Sequence, residues 1–215
     1  MLAFEKRARQ KGFELIIGID EAGRGPLAGP VVASAVSLRE FKFKSRISDS
    51  KKLSPRKREE AFHEIFDKAY VGVGIMSEVV IDEINILEAT FAAMNNAVRQ
   101  LTGRVSAVNK KNIRKEKVHL LIDGNRFKSD LPYSYQTVVD GDELILSVAC
   151  ASIVAKVTRD RILRTYDQIF PAYGFKEHKG YPTPQHKEVL KRLGPSLIHR
   201  RSFHPRFDLK EQEKI

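Results

Sequence analysis

Apolar runs in the first fifty residues predict two β-strands. The runs cover Glu14–Asp20 and Val31–Leu38. The residues between them that favour turns are Gly23, Gly25, Pro26, Gly29 and Pro30. Because glycine and proline punctuate regular structure, this segment predicts a strand, a tight loop and a second strand.

The next apolar pattern has helical spacing. Ser54 and Pro55 are typical of a helix N-cap and first helical position, and the helix is expected to end near Lys68. An alternating run, Val71–Ile75, then predicts a strand whose small residues allow a neighbouring backbone or helix to come close. From Ile84 to Leu101 apolar residues recur every three or four positions, which predicts an amphipathic helix packed on a sheet.

The second half alternates strands and helices again. A polar, basic loop is expected over Asn109–Lys117, followed by strands at Val118–Ile122 and Tyr135–Val139. A long helix over Leu144–Phe170 has small residues that permit close packing, and Thr183-Pro184 begins another helix that ends at Gly194. This order predicts an α/β fold with a central sheet covered by helices.

Composition narrows the class of protein. The chain has 215 residues, 42% hydrophobic and 30% charged, so it is expected to form one domain around a sizeable core. No apolar run approaches the roughly 18 residues of a membrane helix, and the charged N-terminus does not resemble a signal peptide. The single cysteine, Cys150, excludes an internal disulfide and favours a reduced, cytoplasmic protein.

The charge balance suggests a polyanionic partner. Lys and Arg number 38 against 27 Asp and Glu, a formal charge of +11. Basic residues cluster between Lys42 and Arg58 and between Lys176 and Arg206, where they could contact phosphates. For any one lysine, a solvated face explains the charge better than a phosphate contact does.

Three predicted strands are followed by acidic residues. These are Asp20-Glu21, Asp123, and the pair Asp140 and Asp142. Carboxylates that converge at a sheet edge raise one another's pKa, and a hard divalent cation such as Mg²⁺ relieves that repulsion. The alternative is that each Asp only caps a strand or a turn. Asp20 and Glu21 point to opposite faces of a strand, so they are expected to share a metal only if the chain leaves strand geometry there.

Several motifs together resemble ribonuclease HII, the bacterial type 2 ribonuclease H. The strongest is the run from Gly18 to Val32, GIDEAGRGPLAGPVV. Other segments match in the same order, at residues 49–53, 122–125, 141–142, 151–160 and 173–181. The similarity extends from about residue 15 to 205. Cys150 stands where the family usually has alanine, a small apolar exchange.

The resemblance implies a ribonuclease H-like fold with a central mixed sheet, flanking helices and a helical C-terminal part. It implies an endonuclease, dependent on Mg²⁺ or Mn²⁺, that cuts RNA in RNA/DNA hybrids and cuts 5′ of a ribonucleotide embedded in duplex DNA. The implied products carry 3′-hydroxyl and 5′-phosphate ends. The implied division is a core at about residues 12–170 and a substrate-binding part at about 171–215 of one catalytic domain.

The resemblance also assigns residues. The metal-site carboxylates would be Asp20, Glu21, Asp123 and Asp142, with Asp142 preferred to Asp140 because it follows the glycine of the motif. The elements that read the RNA–DNA junction would be Gly23, Arg24, Gly25 and Tyr181, with Lys51 and Lys52 as further substrate contacts.

The assigned residue types suit this chemistry. The 2′-hydroxyl distinguishes RNA from DNA, and glycines let a backbone approach it closely, although a plain turn would also explain Gly23 and Gly25. Tyr181 offers a flat face for stacking and a hydroxyl. The histidines 178, 186, 199 and 204 fit no zinc pattern, so phosphate contact or surface exposure is expected for them.

Two other functions are compatible with parts of the sequence. A nucleic-acid binding protein without catalysis would share the basic clusters, and a glycoside hydrolase would use a carboxylate pair without metal. The expected partners are RNA/DNA hybrid and ribonucleotide-containing duplex DNA, without a membrane. A monomer is expected, and no protein partner can be inferred.

Overall fold

The fold is built on a mixed five-stranded sheet. The computed structural model describes residues 1–48, 50–109 and 113–203. The strands are β1 (Leu15–Ala22), β2 (Val31–Leu38), β3 (Ala69–Met76), β4 (Val118–Asp123) and β5 (Ser134–Val138). Their order across the sheet is β3-β2-β1-β4-β5. Strands β1, β4 and β5 are parallel, whereas β2 runs antiparallel to both β1 and β3.

Helices cover both faces of the sheet and continue beyond it. They are α1 (Ala3–Gln10), α2 (Pro55–Lys68), α3 (Glu78–Asn109), α4 (Gly141–Leu144), α5 (Leu146–Ile169), α6 (Phe175–His178) and α7 (Pro184–Leu193). Short 3₁₀ turns lie at Ser50–Lys52, Lys115–Lys117 and Pro171–Tyr173. The predicted central sheet with flanking helices is confirmed. Of the part of the chain that is described, no helix is both long and apolar enough to cross a membrane.

The predicted helix starts are confirmed by their caps. The Ser54 hydroxyl accepts a hydrogen bond from the Lys57 N–H at 3.4 Å, with Pro55 as the first helical residue of α2. Thr183 Oγ1 accepts one from the His186 N–H at 3.2 Å at the start of α7, and Gly194 follows its last residue. These side chains replace hydrogen bonds that a helix N-terminus lacks.

Helix α3 begins earlier than the apolar stripe predicted. It is interrupted at Asn85, which has a φ of 67°. The Asn85 side-chain oxygen accepts hydrogen bonds from the N–H groups of Leu87 and Glu88 at 2.9 and 3.1 Å, so it caps the second part of the helix. Helix α1 was not predicted. Within the predicted basic loop, residues 110–112 lie outside the described ranges.

One face of the sheet packs against α3 at backbone distance. A Cβ added to Gly72 would lie 2.1 Å from the Ala97 carbonyl oxygen, and one added to Gly74 would lie 2.0 Å from that of Ala93. The core on this side combines apolar residues of β1, β2, β4 and α3. The close approach predicted from the small residues of β3 is confirmed.

The other face packs against α5 just as closely. A Cβ on Gly18 would lie 2.3 Å from the Ser147 carbonyl carbon, so β1 and α5 meet through their backbones. Helix α1 secures the start of α5, because Glu5 Oε1 accepts hydrogen bonds from the Ser147 N–H and hydroxyl, both at 3.0 Å. This packing holds α5 beside the end of β1.

The C-terminal elements fold back onto the loop between β1 and β2. A separate apolar cluster joins Ala28 of this loop to Leu163 of α5 and to Phe175, Leu190 and Ile198. Ala28 also forms an isolated β-bridge with His199. The predicted tail beyond Leu193 is described as far as residue 203, and residues 204–215 lie outside. The division at about residue 170 stays a prediction.

Candidate active site

Acidic residues lie at or just after the ends of three parallel strands, at one edge of the sheet. Asp20 lies near the end of β1, Asp123 is the last residue of β4, and Asp142 lies in α4 after β5. Strand alternation places Asp20 on the same side of the sheet as Gly18, where α5 packs, and Asp123 shares the side of Leu121. The structure therefore brings these three residues to the edge beside α5.

Asp20 is buried, and hydrogen bonds fix its carboxylate. It is 6% exposed, and its Oδ1 accepts a hydrogen bond from the Glu21 N–H at 2.7 Å. Ser152 of α5 donates another hydrogen bond to it, and the Ser152 hydroxyl lies 3.0 Å from that of Ser50. Burial, followed by the charges of Glu21 and Asp123, raises the pKa of Asp20 well above its usual value.

Glu21 remains in strand geometry. Asp20 and Glu21 were expected to share a metal only if the chain left the strand there, but β1 continues through Ala22, because β2 pairs opposite both Glu21 and Ala22. The chain leaves the strand only at Gly23, with a φ of 97°. Glu21 thus lies on the opposite face from Asp20, where its Oε1 contacts the Arg24 guanidinium at 3.2 Å. Burial raises the pKa of Glu21, although Arg24 opposes this shift.

The loop after β5 distinguishes the two remaining aspartates. Asp142 is buried at 7% exposure, whereas Asp140 is exposed and has a left-handed φ of 55°. Between them, the Gly141 N–H donates to Asp123 Oδ1 at 2.7 Å. A Cβ on Gly141 would lie 3.2 Å from that same oxygen, so a glycine gives Asp123 room to approach.

The assigned residues supply the kind of ligand atom that a hard divalent cation binds. All four assigned residues supply carboxylate oxygens, and the mutual repulsion that raises the pKa of Asp20 is what a cation would remove. In the described ranges, no group of three or more His, Cys, Asp or Glu side chains is already placed to hold a metal ion. The carboxylates share an edge without closing around one point.

The glycine loop and Tyr181 lie next to each other, close to Glu21. A Cβ on Gly25 would lie 3.8 Å from Tyr181 Cε1, and Tyr181 is 42% exposed. At Gly23 a Cβ would lie 2.1 Å from Arg159 Nε, which excludes any larger residue at this positive φ. The structure therefore brings together the loop and aromatic residue that the sequence separates by more than 150 positions.

Lys51 and Lys52 occupy the 3₁₀ turn beside the carboxylates. This turn approaches α5 through the contact between Ser50 and Ser152, and Lys52 Nζ forms an ion pair with Glu143 at 2.6 Å. Both lysines are exposed. Asp49, which belongs to the same predicted motif, lies outside the described residues.

The histidines differ from their predicted positions. His178, His186 and His199 are all buried, so surface exposure is wrong for them. The rings of His178 and His186 are stacked with centroids 4.1 Å apart, and His186 Nε2 lies 3.0 Å from His199 Nε2. Aromatic neighbours such as Phe175 complete this cluster, whose burial depends on contacts distant in sequence. His204 lies outside the described residues.

Sequence reasoning missed the roles of Ser152, Arg159 and Arg200. Ser152 and Arg159 lie inside a recognised motif on α5, so the motif itself was the available signal. Arg200 was counted only within a basic cluster, yet it is buried and donates to the backbone of the glycine loop. A buried arginine cannot be distinguished from a surface arginine by residue type.

Comparison with known proteins agrees with this geometry. The family model described as ribonuclease HII matches residues 17–206. A ribonuclease HII of Geobacter sulfurreducens is 48% identical over 201 residues, which cover 93% of this chain and 87% of that protein. One of Acetivibrio thermocellus is 49% identical over 208 residues, covering 96% and 76%.

Solved structures show the same fold. The ribonuclease HII in a complex with PCNA from Archaeoglobus fulgidus superposes with a TM-score of 0.65 at 25% identity, covering 90% of this chain and 96% of that one. The ribonuclease H2 of Pyrococcus horikoshii gives a TM-score of 0.66 at 26% identity, covering 89% and 94%. From its fold, its motifs and these relatives, the chain belongs to the ribonuclease HII family of ribonuclease H endonucleases.

Proposed function

We propose that this ribonuclease H is a metal-dependent endonuclease with two substrates. It cuts the RNA strand of RNA/DNA hybrids, and it cuts 5′ of a ribonucleotide embedded in duplex DNA, leaving 3′-hydroxyl and 5′-phosphate ends. The second reaction initiates removal of misincorporated ribonucleotides. The observation that carries the proposal is the placement of buried Asp20 and Asp142, with Asp123, at one sheet edge.

Asp20, Glu21, Asp123 and Asp142 would hold Mg²⁺ or Mn²⁺. Glu21 leaves β1 on the face opposite Asp20, but it lies close enough to Asp123 for the charge of Asp123 to raise its pKa. When bound, such ions activate a water molecule and stabilise the leaving 3′ oxygen in phosphodiester hydrolysis. The burial of Asp142 supports it over Asp140 as the fourth ligand.

The chain's own contacts keep these carboxylates in place. Ser152 and the Glu21 N–H hold Asp20, and the Gly141 N–H holds Asp123. Arg24 contacts Glu21, so it joins the glycine loop to the carboxylates. Hydrogen bonds that restrict a ligand's rotation lower the cost of ordering it when the cation binds.

The glycine loop and Tyr181 form the surface that reads the ribonucleotide. Gly25 exposes backbone that can approach a 2′-hydroxyl, and buried Gly23 supplies the positive φ at which the chain turns into the loop. The half-exposed Tyr181 ring can stack on the adjoining sugar or base. Lys51 and Lys52 lie on the carboxylate side and would contact phosphates, which adds affinity without sequence preference. The buried free thiol of Cys150 is consistent with a cytoplasmic protein.

The test uses a labelled DNA duplex that contains one ribonucleotide. It is incubated with Mg²⁺, with Mn²⁺ or with EDTA, beside an all-DNA duplex and a uniform RNA/DNA hybrid. We expect metal-dependent nicking 5′ of the ribonucleotide, cleavage of the hybrid and no cleavage of all-DNA. Cleavage of the hybrid alone would contradict the junction-reading role of Gly23, Arg24, Gly25 and Tyr181. Tight binding without cleavage under either metal would indicate a non-catalytic binder, and activity unaffected by EDTA would exclude the metal mechanism.

A further inference from the structure

Two buried arginines lie outside the carboxylate site. Arg159 of α5 is 1% exposed and Arg200 is 3% exposed. Within the described residues neither forms an ion pair with a carboxylate. Burial lowers the pKa of Arg159 to about 10 and that of Arg200 to about 9, the second also because Arg159 is nearby. Both remain charged at neutral pH, and burying a charge is costly unless hydrogen bonds compensate it.

Among the described residues, every side-chain hydrogen bond of Arg200 goes to one loop. Its Nε donates to the Gly29 carbonyl at 2.9 Å, and its Nη2 donates to that of Gly23 at 2.6 Å. Its Nη1 donates to the carbonyls of Arg24 at 3.0 Å and Pro26 at 2.8 Å. A single side chain near the end of the described chain therefore binds four carbonyls of the loop between β1 and β2.

Arg159 holds the same loop from α5 and joins it to the Tyr181 segment. Its Nε and Nη2 donate to the carbonyls of Pro30 and Ala28, both at 3.0 Å. Its Nη1 donates to the Lys179 carbonyl, also at 3.0 Å. The two segments also contact directly, since the Leu27 N–H donates to the Gly180 carbonyl at 2.8 Å. The position of Tyr181 relative to the loop thus depends on Arg159.

These hydrogen bonds occupy the carbonyl groups of the loop rather than its N–H groups. The two guanidinium groups bind the carbonyls of residues 23, 24, 26, 28, 29 and 30. In the described part of the chain, by contrast, the N–H groups of Arg24 and Gly25 have no protein acceptor. The loop is therefore held through its acceptors, while the N–H donors of Arg24 and Gly25, which are both exposed, remain for a ligand oxygen such as a ribose hydroxyl or a phosphate.

We propose that Arg200 and Arg159 are positioning residues that determine the preference for an embedded ribonucleotide. They fix the glycine loop and Tyr181 so that the Arg24 and Gly25 N–H groups meet the ribonucleotide in one geometry. The inference rests on the proposed role of this loop. A uniform hybrid offers a 2′-hydroxyl at every position of its RNA strand and tolerates a displaced loop, whereas a duplex with one ribonucleotide offers a single productive register.

The test compares the two substrates in the same variant. Arg200→Lys keeps the charge but loses the planar fork that reaches four carbonyls. Arg104→Lys is the matched control, because Arg104 also donates to a backbone carbonyl, that of Val71, but lies on α3 away from the loop. Both variants and the wild type are assayed with Mg²⁺ for kcat/KM on the single-ribonucleotide duplex and on the uniform hybrid, with urea unfolding measured in parallel.

We expect Arg200→Lys to lower kcat/KM on the single-ribonucleotide duplex by about tenfold or more, and on the hybrid by about threefold or less, because small displacements of positioning groups have large effects on rate. Arg104→Lys should keep the wild-type ratio. Equal losses on both substrates, or no loss, would overturn the inference. A wild type that does not cut the single-ribonucleotide duplex would instead refute the proposed function.

A second variant keeps the test informative if Arg200→Lys does not fold. Arg159→Lys removes the link to Lys179 as well as two loop contacts, so it should shift the substrate ratio in the same direction. Combining Arg200→Lys with Arg24→Ala should give less than the product of the single losses on the single-ribonucleotide duplex, because both changes act through one loop. Multiplicative losses would contradict this coupling.

Discussion

At the residue scale, Asp20 is a carboxylate whose ionised form is disfavoured by its surroundings. Burial raises its pKa, and the charges of Glu21 and Asp123 raise it further. A group of this kind destabilises the folded protein when it is ionised without a cation. Cation binding therefore requires the ionised form of Asp20, whereas the stability of the folded protein without a cation favours the neutral form.

Replacing Asp20 with Asn distinguishes the effect of this carboxylate on cleavage from its effect on stability. We expect Asp20→Asn to lower cleavage of either substrate by roughly two to three orders of magnitude or more. In EDTA at neutral pH, the same change should raise the free energy of unfolding by about 1 kcal/mol, because it removes a buried charge. Activity assays and urea unfolding check the two effects. The control is Asp67→Asn, at an exposed position of α2. A variant that lost stability would assign Asp20 a structural role.

Residue type and order were enough to predict which carboxylates gather, because each follows a predicted strand within a recognised motif. They were not enough to predict Arg200, whose hydrogen bonds join it to residues more than 170 positions earlier. The direction of Glu21 was also not predictable, because it depends on how far β2 pairs with β1. Burial and register are properties of the assembled fold.

At the scale of elements, the site depends on how closely α5 approaches β1. The contact occurs at Gly18, where a Cβ would meet the backbone of Ser147 and Val148 at 2.3 to 2.4 Å. Ser152, which donates to Asp20, lies on the same helix. Any separation of helix and strand would therefore also change the surroundings of Asp20.

Gly18→Ala tests this contact directly. We expect it to lower the free energy of unfolding by about 2 kcal/mol or more, because neither backbone can move without disturbing the core. Gly103 provides the opposite case, since it lies at an exposed position of α3 with nothing within 4 Å of its Cβ position. Gly103→Ala should raise stability by roughly 0.5 to 1 kcal/mol through helix propensity. Denaturant unfolding measures both, and similar effects in the two variants would rule out the steric explanation.

The buried histidine cluster connects the C-terminal elements through neutral rings. His178 Nδ1 accepts from the Gly180 N–H at 3.1 Å, and His186 Nδ1 donates to the Tyr181 carbonyl at 2.9 Å. His199 Nε2 then donates to His186 Nε2, because His199 Nδ1 accepts from the Ser196 N–H at 2.9 Å. Every ring nitrogen has a fixed role, so an added proton would break a hydrogen bond.

This network makes stability depend on pH. Burial is the main cause that lowers the pKa of both His186 and His199 to about 4 from an ordinary 6.5. Their contribution is complete above about pH 6.5 and is lost as the pH falls toward 4, because the unfolded chain takes up protons first. At pH 5 the expected loss is about 1 to 2 kcal/mol per histidine.

Urea unfolding at pH 7 and pH 5 measures this loss. Since buried carboxylates titrate with the opposite sign, the wild type is compared with His186→Gln, whose loss between the two pH values should be smaller. His63→Gln, at an exposed position outside the network, should behave as the wild type does. An equal pH dependence in wild type and His186→Gln would contradict the neutral network.

Elements with local stop and start signals were predicted well. Ser54, Pro55, Thr183 and Gly194 mark helix ends through contacts within a few residues, which the sequence displays directly. Helix α1 carries no such signal, and it is secured instead by Glu5 contacting Ser147 more than 140 positions away. The break at Asn85 was also not predicted, because the apolar spacing continues through this position although the Asn85 side chain caps the second part of the helix.

At the scale of the whole molecule, only part of the positive charge is available to bind a partner, because some basic side chains bind the protein's own backbone. Arg200 uses its charge on backbone carbonyls, and Arg58 donates to the carbonyls of Ser50 and Leu53. These two residues belong to the two basic clusters, but their hydrogen bonds stabilise the folded chain. The net charge of +11 therefore overstates the number of groups available to phosphates.

A charge-matched pair of variants distinguishes local contact from net charge. Lys51 lies in the turn beside the carboxylates, whereas Lys115 precedes the start of β4, at the opposite end of the strand from Asp123. Both are exposed, and Lys51→Gln and Lys115→Gln remove the same charge.

The measurement is the affinity for an RNA/DNA hybrid in EDTA, where no cleavage occurs, as a function of salt concentration. Each phosphate contact contributes about 0.9 to the slope of log affinity against log salt, because bound counterions are released. Lys51→Gln should therefore weaken binding and reduce the slope by about one. Lys115→Gln should leave the slope unchanged, because that lysine lies away from the proposed phosphate path. Equal reductions in both variants would mean that the hybrid responds to total charge, and the contact assigned to Lys51 would be withdrawn.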